Sequence, residues 1–224
     1  MNLRKTENLE KLCEQLYELP PKWDEIISRF KSNPKFDPNR AFNLPRYAGY
    51  FSEIDLDVRL EELAKRHPDL NISLDLIRKE ETENYKFDLT SGRLTVCSKS
   101  NPDVTLCEYD KLLLMDDLPV VFEIKIRKWE SGRKNKYFVN FFKPERYQKK
   151  LDPIHEFYNC DVGYVLILPK DMFEARLNSK HPDSLYNQFK KDNGLIVPFY
   201  TNRYEFKNDV LRKVIENKLK LRIF

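Results

Sequence analysis

Two carboxylates and a lysine in neighbouring apolar segments have residue types and spacing suited to chemistry. Asp110 lies in the first segment and Glu123-Ile124-Lys125 ends the second, with Asp116-Asp117 between them. If the segments are antiparallel strands joined by a tight turn at those aspartates, Asp110 lies directly opposite Glu123. Opposed Cβ atoms are about 5 Å apart, where two carboxylates repel by roughly 3 kcal/mol at an effective dielectric constant near 20. A cation is therefore expected between them, either the ammonium of Lys125 or a divalent metal ion.

Glu108 belongs to the same pattern. Residues i and i+2 of a strand share one face, so Glu108 lies beside Asp110, and the same register sets it opposite Lys125. Two roles are open to Glu108, a salt bridge with Lys125 or a place among the ligands of a metal ion. The salt bridge is preferred.

The elements that must position these residues are predicted from hydrophobic periodicity and from the Pro and Gly positions. Apolar residues at helical spacing predict a pair of N-terminal helices before a proline-rich connection. This pair is either packed on the main body, a dimerisation arm or a lid over the site. The rest of the chain is predicted to form, in order, a helix over residues 49–66, a strand over 72–79, an exposed loop over 80–92, a short strand over 93–97, the hairpin, a basic loop over 128–136, a helix over 143–158, a buried strand over 161–168, a short strand over 195–200 and a C-terminal helix over 210–219.

Two regions and one fold class follow from this order. Residues 1–48 are expected to form the helical hairpin and a linker. Residues 49–224 are expected to form the main domain with a C-terminal helical extension. Strands that are grouped before a helix and a buried strand predict an α/β fold with a mixed central sheet flanked by helices.

The composition predicts a globular intracellular protein. Apolar residues make up 41% and charged residues 34% of the chain, with only five glycines, which favours a packed core and not disorder. The first residues are too polar for a signal peptide, and no apolar run approaches the ~20 residues of a membrane helix. The four cysteines lack the spacing of zinc or thioredoxin-like sites. We expect no membrane partner and a cytoplasmic location, or a nucleoid or nuclear one if the source is eukaryotic or viral.

The strongest charge asymmetry of the chain lies directly after Glu123. Residues 124–150 hold ten Lys and Arg against two Glu, an excess of eight positive charges in a chain whose formal net charge is +4. Such a concentration of positive charge favours a polyanionic partner. The alternative is a solvated face that is basic without binding anything.

These residues and this order of elements resemble the PD-(D/E)xK nuclease superfamily, whose restriction-endonuclease-like core is an αβββαβ unit. Asp110 matches the aspartate of the family motif, and Glu123-Ile124-Lys125 matches its (D/E)xK end. The segment from Gly49 to Glu53 is similar to the Gly-x-x-x-Glu at the start of the first helix in resolvase-like members. Holliday-junction resolvases are therefore the branch that the hairpin resembles most.

The resemblance covers about residues 49–170, with two departures from the family pattern. Tyr109 stands where the proline that names the motif is found, a proline that many branches also lack. One branch has Gln-x-x-x-Tyr in the later helix, whereas Gln148 of this chain is followed four residues on by Asp152. The chain therefore lacks the pairing that defines that branch.

The resemblance implies a site for Mg²⁺ or Mn²⁺. Asp110, Glu123 and the carbonyl of Ile124 would bind the ion, since Mg²⁺ takes oxygen ligands and keeps several waters. Glu53 would complete the site directly or through water. Such an ion polarises the scissile phosphate and lowers the pKa of a bound water. Lys125 would orient that water and offset charge in the transition state.

The carboxylate from the helix is the least defined member of this set. Asp57 and Glu61 lie on neighbouring turns of the same predicted helix as Glu53, so any of the three could be the inward one. Glu53 is preferred because it occupies the family position.

Six polar residues that follow the motif are expected to bind nucleic acid. The basic ones would contact phosphates, which positions a strand without recognising its bases. A glutamine and a lysine early in the later helix would face the site from the other side. These residues are Arg127, Lys128, Lys134, Lys136, Gln148 and Lys149.

The sequence therefore predicts a metal-dependent nuclease that hydrolyses phosphodiester bonds, with a DNA endonuclease favoured. One alternative is a non-catalytic nucleic-acid-binding or scaffold protein that keeps the nuclease fold. Another is an RNA-directed nuclease subunit. A homodimer is a further expectation, because two-fold symmetry is the simplest arrangement for cutting two strands.

Overall fold

A computed structural model describes residues 3–32, 44–74, 81–88, 94–126, 142–171, 183–192, 194–200 and 203–217 of the chain. The helices in these ranges are α1 (Leu3–Glu18), α2 (Trp23–Ser32), α3 (Leu44–Arg66), α4 (Pro144–Tyr158), α5 (Asp183–Lys191) and α6 (Arg203–Glu216). The strands are β1 (Ile72–Ser73), β2 (Tyr85–Asp88), β3 (Leu94–Ser98), β4 (Asn101–Tyr109), β5 (Lys111–Met115), β6 (Leu118–Ile124), β7 (Gly163–Pro169) and β8 (Gly194–Tyr200).

The strands form two sheets. The larger has the order β1-β5-β6-β7-β8, in which β1, β5 and β6 are antiparallel neighbours and β6, β7 and β8 are parallel neighbours. Every residue of β6 and β7 is buried, as expected for apolar strands at the centre of a sheet that is covered on both faces. The smaller sheet, β2-β3-β4, is antiparallel. The predicted α/β class with a mixed sheet flanked by helices is confirmed.

The hairpin between β5 and β6 has the predicted register. Lys111 pairs with Phe122, and the pairing continues to Met115 and Leu118. The connecting residues Asp116 and Asp117 have φ of 48° and 61°. Positive φ at both central residues is the conformation that matches the right-handed twist of the two strands. One further step along this register sets Asp110 across from Glu123.

The register does not extend to Glu108, and the prediction that Glu108 lies opposite Lys125 is wrong. β4 belongs to the smaller sheet, where Glu108 pairs with Thr95 of β3. The chain leaves that sheet at Asp110 and enters the larger one at Lys111. The physical reason is that the apolar segment is divided between two sheets, although its sequence looks like one continuous strand.

Three other elements differ from the predictions. α3 begins at Leu44 and not at residue 49, so the expected division between residues 48 and 49 falls inside this helix. The expected loop over 80–92 contains β2, in which Phe87 is the one buried residue, too little for a visible alternation. α5 was not predicted. The later part of the strand expected over 72–79 and the whole basic loop over 128–136 lie outside the described residues.

Successive residues of β6 alternate between hydrophobic cores on the two faces of the larger sheet. Val120 and Phe122 join the first core, which includes residues of α1, α2, α3 and α6. The N-terminal helices are thus packed on the main body. Val121 joins the second core, which includes residues of α4, α5 and the smaller sheet. Glu123 follows Val121 by two residues and therefore projects toward the second core.

None of the helices in the described ranges combines the length and the apolar composition that a membrane-spanning helix requires.

A buried ion pair joins α3 to two neighbouring elements of the first core. The Asp55 and Arg59 side chains are 2% and 3% exposed, and Arg59 Nε donates to Asp55 Oδ1 at 3.0 Å. The guanidinium also donates to the carbonyls of Leu16 and Leu19, at and after the end of α1. It lies 4.3 Å from the centre of the Phe199 ring on β8. One side chain therefore connects α1, α3 and the last strand of the sheet.

Arg59→Met is expected to lower the free energy of unfolding by about 3–5 kcal/mol, because it leaves Asp55 buried without its guanidinium partner. Arg66→Met is the matched control, since Arg66 is 56% exposed and pairs with Glu62 on the helix surface. Its cost should stay below about 1 kcal/mol. Urea unfolding followed by circular dichroism measures both values. Equal costs for the two variants would contradict a central role for the buried pair.

Candidate functional site

Asp110 and Glu123 lie together at the end of β6. Asp110 is the residue at which the chain passes between the two sheets, and its Oδ2 accepts a hydrogen bond from the backbone N–H of Ile124 at 2.7 Å. Glu123 is 5% exposed in a strand whose other members are Leu, Pro, Val, Phe and Ile. The hairpin register and this hydrogen bond hold the two carboxylates at opposed positions.

Two lysines contact Glu123, one on each carboxylate oxygen. Lys125 Nζ donates to Oε1, and Lys150 Nζ, from the second turn of α4, donates to Oε2. Lys150 Nζ also donates to the carbonyl of Glu108 at 2.5 Å. We call Asp110, Glu123, Lys125 and Lys150 the carboxylate–lysine cluster. With all four side chains ionised, its formal charge is zero.

Both lysines of this cluster contact Glu123, which leaves the negative charge of Asp110 less well compensated. Burial raises the pKa of Asp110, and the charge of Glu123 raises it further. Lys125, the Ile124 N–H and Lys150 act in the opposite direction, but the pKa of Asp110 stays above its ordinary value. The ionised form of Asp110 is therefore costly in the folded protein, which is typical of functional sites.

The donors of the cluster suit a small divalent cation. Two carboxylates at opposed positions offer hard oxygen ligands, and the raised pKa of Asp110 indicates that further positive charge would be stabilising there. Among the described residues, no group of three or more His, Cys, Asp or Glu side chains is placed to hold a metal ion. Asp110 and Glu123 are the two carboxylates that the described part of the protein brings together for a cation. Water and substrate oxygens would complete its shell, as Mg²⁺ prefers.

Glu53 lies on α3, whose buried residues belong to the first core. The neighbouring carboxylate, Asp57, forms an ion pair with Lys111 at 2.7 Å, directly beside Asp110 in the chain. Glu61 binds Arg29 of α2, and this arginine lowers the pKa of the Glu61 carboxyl. Asp57 and Glu61 are therefore engaged elsewhere. Glu53 remains a prediction, because the described residues do not join it to Asp110 and Glu123 in a metal-binding group.

The residues predicted to bind nucleic acid fall into two groups. Gln148 is half-buried and Lys149 is exposed, both on α4 close to the cluster in sequence. Their contact with nucleic acid remains a prediction, as does the role of the Ile124 carbonyl. The other four residues lie outside the described ranges: Arg127, Lys128, Lys134 and Lys136.

Lys150 is the member of the cluster that the sequence predictions missed. A signal for it was available, because Tyr147, Leu151 and Ile154 are the apolar stripe of α4 and are all buried. Lys150 is three residues after Tyr147 and next to Leu151, so it lies beside that inward face. Lys149 is turned about 100° from it, on the solvent side.

Compared with known proteins, the chain matches no family model, no curated protein and no solved structure. Its function is therefore inferred from the residues of the carboxylate–lysine cluster and from the elements that position them.

Asp110→Asn is expected to stabilise the protein at neutral pH by about 0.5–2 kcal/mol, the usual size for a stabilising substitution. The amide keeps an oxygen acceptor for the Ile124 N–H but carries no charge. Because the pKa of Asp110 is higher in the folded protein than in the unfolded chain, the wild type loses stability as pH rises through that interval. The gain from the substitution should therefore shrink as the pH falls toward 4.

Urea unfolding at a series of pH values, with EDTA present throughout, measures this gain. Asp88→Asn is the matched control, since Asp88 is exposed on β2. A gain that is independent of pH, or a loss of stability at pH 7, would contradict the costly ionisation of Asp110.

Proposed function

We propose that this protein is a metal-dependent nuclease that hydrolyses phosphodiester bonds in nucleic acid, with DNA as the favoured substrate. The observation that carries the proposal is the opposed pair of Asp110 and Glu123, with Lys125 two residues further on and in contact with Glu123. Two carboxylates that can hold a divalent cation, with a lysine beside them, fit metal-assisted attack on a phosphodiester. Strand pairing holds Glu123 in place, and the Ile124 N–H binds the Asp110 carboxylate.

The order of elements around the pair supports membership of the PD-(D/E)xK superfamily. The elements α3, β1, β5, β6, α4 and β7 follow one another in the order αβββαβ. Within them, β1, β5 and β6 are antiparallel neighbours and β7 is parallel to β6. The β2-β3-β4 sheet is then an insertion between the first two strands of this core. We propose on this basis that the core is restriction-endonuclease-like.

Asp110, Glu123 and the carbonyl of Ile124 would hold Mg²⁺ or Mn²⁺, and a bound ion would supply charge for the scissile phosphate and acidity for a water molecule. The protein residues have separate tasks. Asp110 and Glu123 would hold the ion at the end of β6 and, through it, would set the position of the reacting phosphate. Lys125 donates to a phosphate oxygen and offsets the negative charge that develops there. The excess of positive charge over residues 124–150 favours binding of the nucleic acid backbone.

One observation favours a second candidate, a nucleic-acid-binding protein without cleavage activity. Both oxygens of Glu123 accept hydrogen bonds from lysines, so the cluster is a neutral salt-bridge network as it stands. Such a network could have a purely structural role, in which the salt bridges hold β6 and α4 together. This candidate predicts binding to DNA with no cleavage in any divalent cation.

Mg²⁺- or Mn²⁺-dependent cleavage of DNA is expected for the wild type, and Asp110→Asn, Glu123→Gln and Lys125→Met should each reduce it by at least about 10²-fold, because each removes a charge at the reacting phosphate. Single-turnover rates on labelled single-stranded DNA, duplex DNA, branched junctions and single-stranded RNA measure the loss and identify the substrate.

Asp88→Asn and Lys86→Met are matched controls for these losses. Both remove one charge from exposed positions on β2 and should leave the rate unchanged. Full cleavage in EDTA, or undiminished cleavage by all three cluster variants, would overturn the proposed function. DNA binding without cleavage across metals and substrates would support the second candidate instead.

A further inference from the structure

We propose that Lys150 competes with the divalent cation for Glu123, so that the cation binds weakly alone and tightly only when a phosphate group draws Lys150 away. This inference rests on the proposed nuclease function. It assigns to Lys150 a positioning role that couples the binding of cation and phosphodiester at one site.

The competition follows from the position of the Lys150 ammonium. It is bound to Oε2 of Glu123, while Lys125 is bound to Oε1, so both oxygens that a cation would take already hold a positive group. An ammonium and a divalent cation on the same buried carboxylate repel each other strongly in a poorly solvated site. One of the two lysines must therefore give way before the cation can bind Glu123.

Lys150 is the lysine that can leave with the smaller loss. It comes from α4 and not from β6, and its ammonium also donates to the carbonyl of Glu108 at 2.5 Å. When the Lys150 ammonium leaves Glu123, it therefore loses one of the two hydrogen-bond acceptors that it contacts among the described residues. A lysine has a flexible four-carbon stem and a compact charge, so its ammonium can move while α4 stays in place.

A phosphodiester is the ligand that makes this exchange favourable. Both lysines offset the charge of Glu123 in the structure, so this carboxylate attracts a cation only weakly while both stay in place. An arriving phosphate adds negative charge and offers new acceptors to Lys150, so that Glu123 becomes available. Thermodynamic linkage then requires that the phosphate tighten cation binding and that the cation tighten phosphate binding by the same factor.

Binding of Mn²⁺ alone, measured by the electron paramagnetic resonance signal of the free ion, tests the competition. Lys150→Met should bind Mn²⁺ at least tenfold more tightly than the wild type, and Lys150→Arg, which keeps a cation, should resemble the wild type. Lys86→Met is the matched control, because it makes the same change of charge at an exposed position on β2, outside the cluster. It should leave the affinity at the wild-type value.

A second arm adds a short phosphorothioate oligonucleotide that resists cleavage. It should tighten Mn²⁺ binding to the wild type by about tenfold, within the usual range for coupled sites, and should have much less effect on Lys150→Met. Equal Mn²⁺ affinity in Lys150→Met and Lys86→Met would overturn the inference while leaving the proposed function intact. Absence of Mn²⁺ binding in every variant, with and without oligonucleotide, would overturn both.

A measurement on the wild type covers the case in which Lys150→Met does not fold. Lysine side chains labelled with ¹³C at Cε are observed by NMR, with the Lys150 signal assigned from the spectrum of Lys150→Arg. Adding Ca²⁺ together with the oligonucleotide should shift the Lys150 signal, and Ca²⁺ alone should shift it far less. An unchanged Lys150 signal in the presence of both would contradict its release from Glu123.

Discussion

Two carboxylates that face each other across a two-residue hairpin are the constraint on which this structure depends. If the pairing of β5 and β6 slipped by one residue, the side chain of Glu123 would point toward the first core instead of the second. The turn at Asp116 and Asp117 fixes the register, and Asn8 of α1 binds the Asp116 carboxylate at 2.6 Å. β6 is also paired on both sides, with β5 and with β7. Backbone pairing therefore holds the carboxylates where their mutual repulsion would otherwise separate them.

The smaller sheet helps to position Lys150, one of the two lysines that contact the carboxylate pair. The chain changes sheets at Asp110, and β4, which ends just before it, contacts α4. Each of these two elements donates a side-chain hydrogen bond to a backbone carbonyl of the other. The Tyr109 hydroxyl donates to the carbonyl of Lys150 at 2.7 Å, and the Lys150 ammonium donates to the carbonyl of Glu108 at 2.5 Å. Tyr109 is 1% exposed and belongs to the second core. Tyr109 is thus part of the contact that positions Lys150.

The sequence contains the local signals of this fold and lacks the signals that depend on contacts between distant elements. The hairpin register followed from the symmetric turn at Asp116-Asp117, and β7 from its unbroken apolar run. The change of sheet at Asp110 could not be predicted, because apolar residues continue through it. β2 was missed because Phe87 alone is buried. Lys150 could be placed near the inward face from helical spacing, but its choice of Glu123 as a partner depends on how α4 packs.

The distribution of charge in the cluster favours a function over a role in stability alone. Buried ion pairs rarely stabilise a protein more than packed apolar residues of the same volume, and an uncharged residue at position 110 would remove both the repulsion from Glu123 and the desolvation cost of the Asp110 carboxylate. The protein instead places both lysines on Glu123 and keeps Asp110 with a raised pKa. A purely structural network would be more stable with Asp110 neutralised. An under-compensated carboxylate agrees with the proposal that a cation and a phosphodiester bind together at this site, since each supplies the charge that the other lacks.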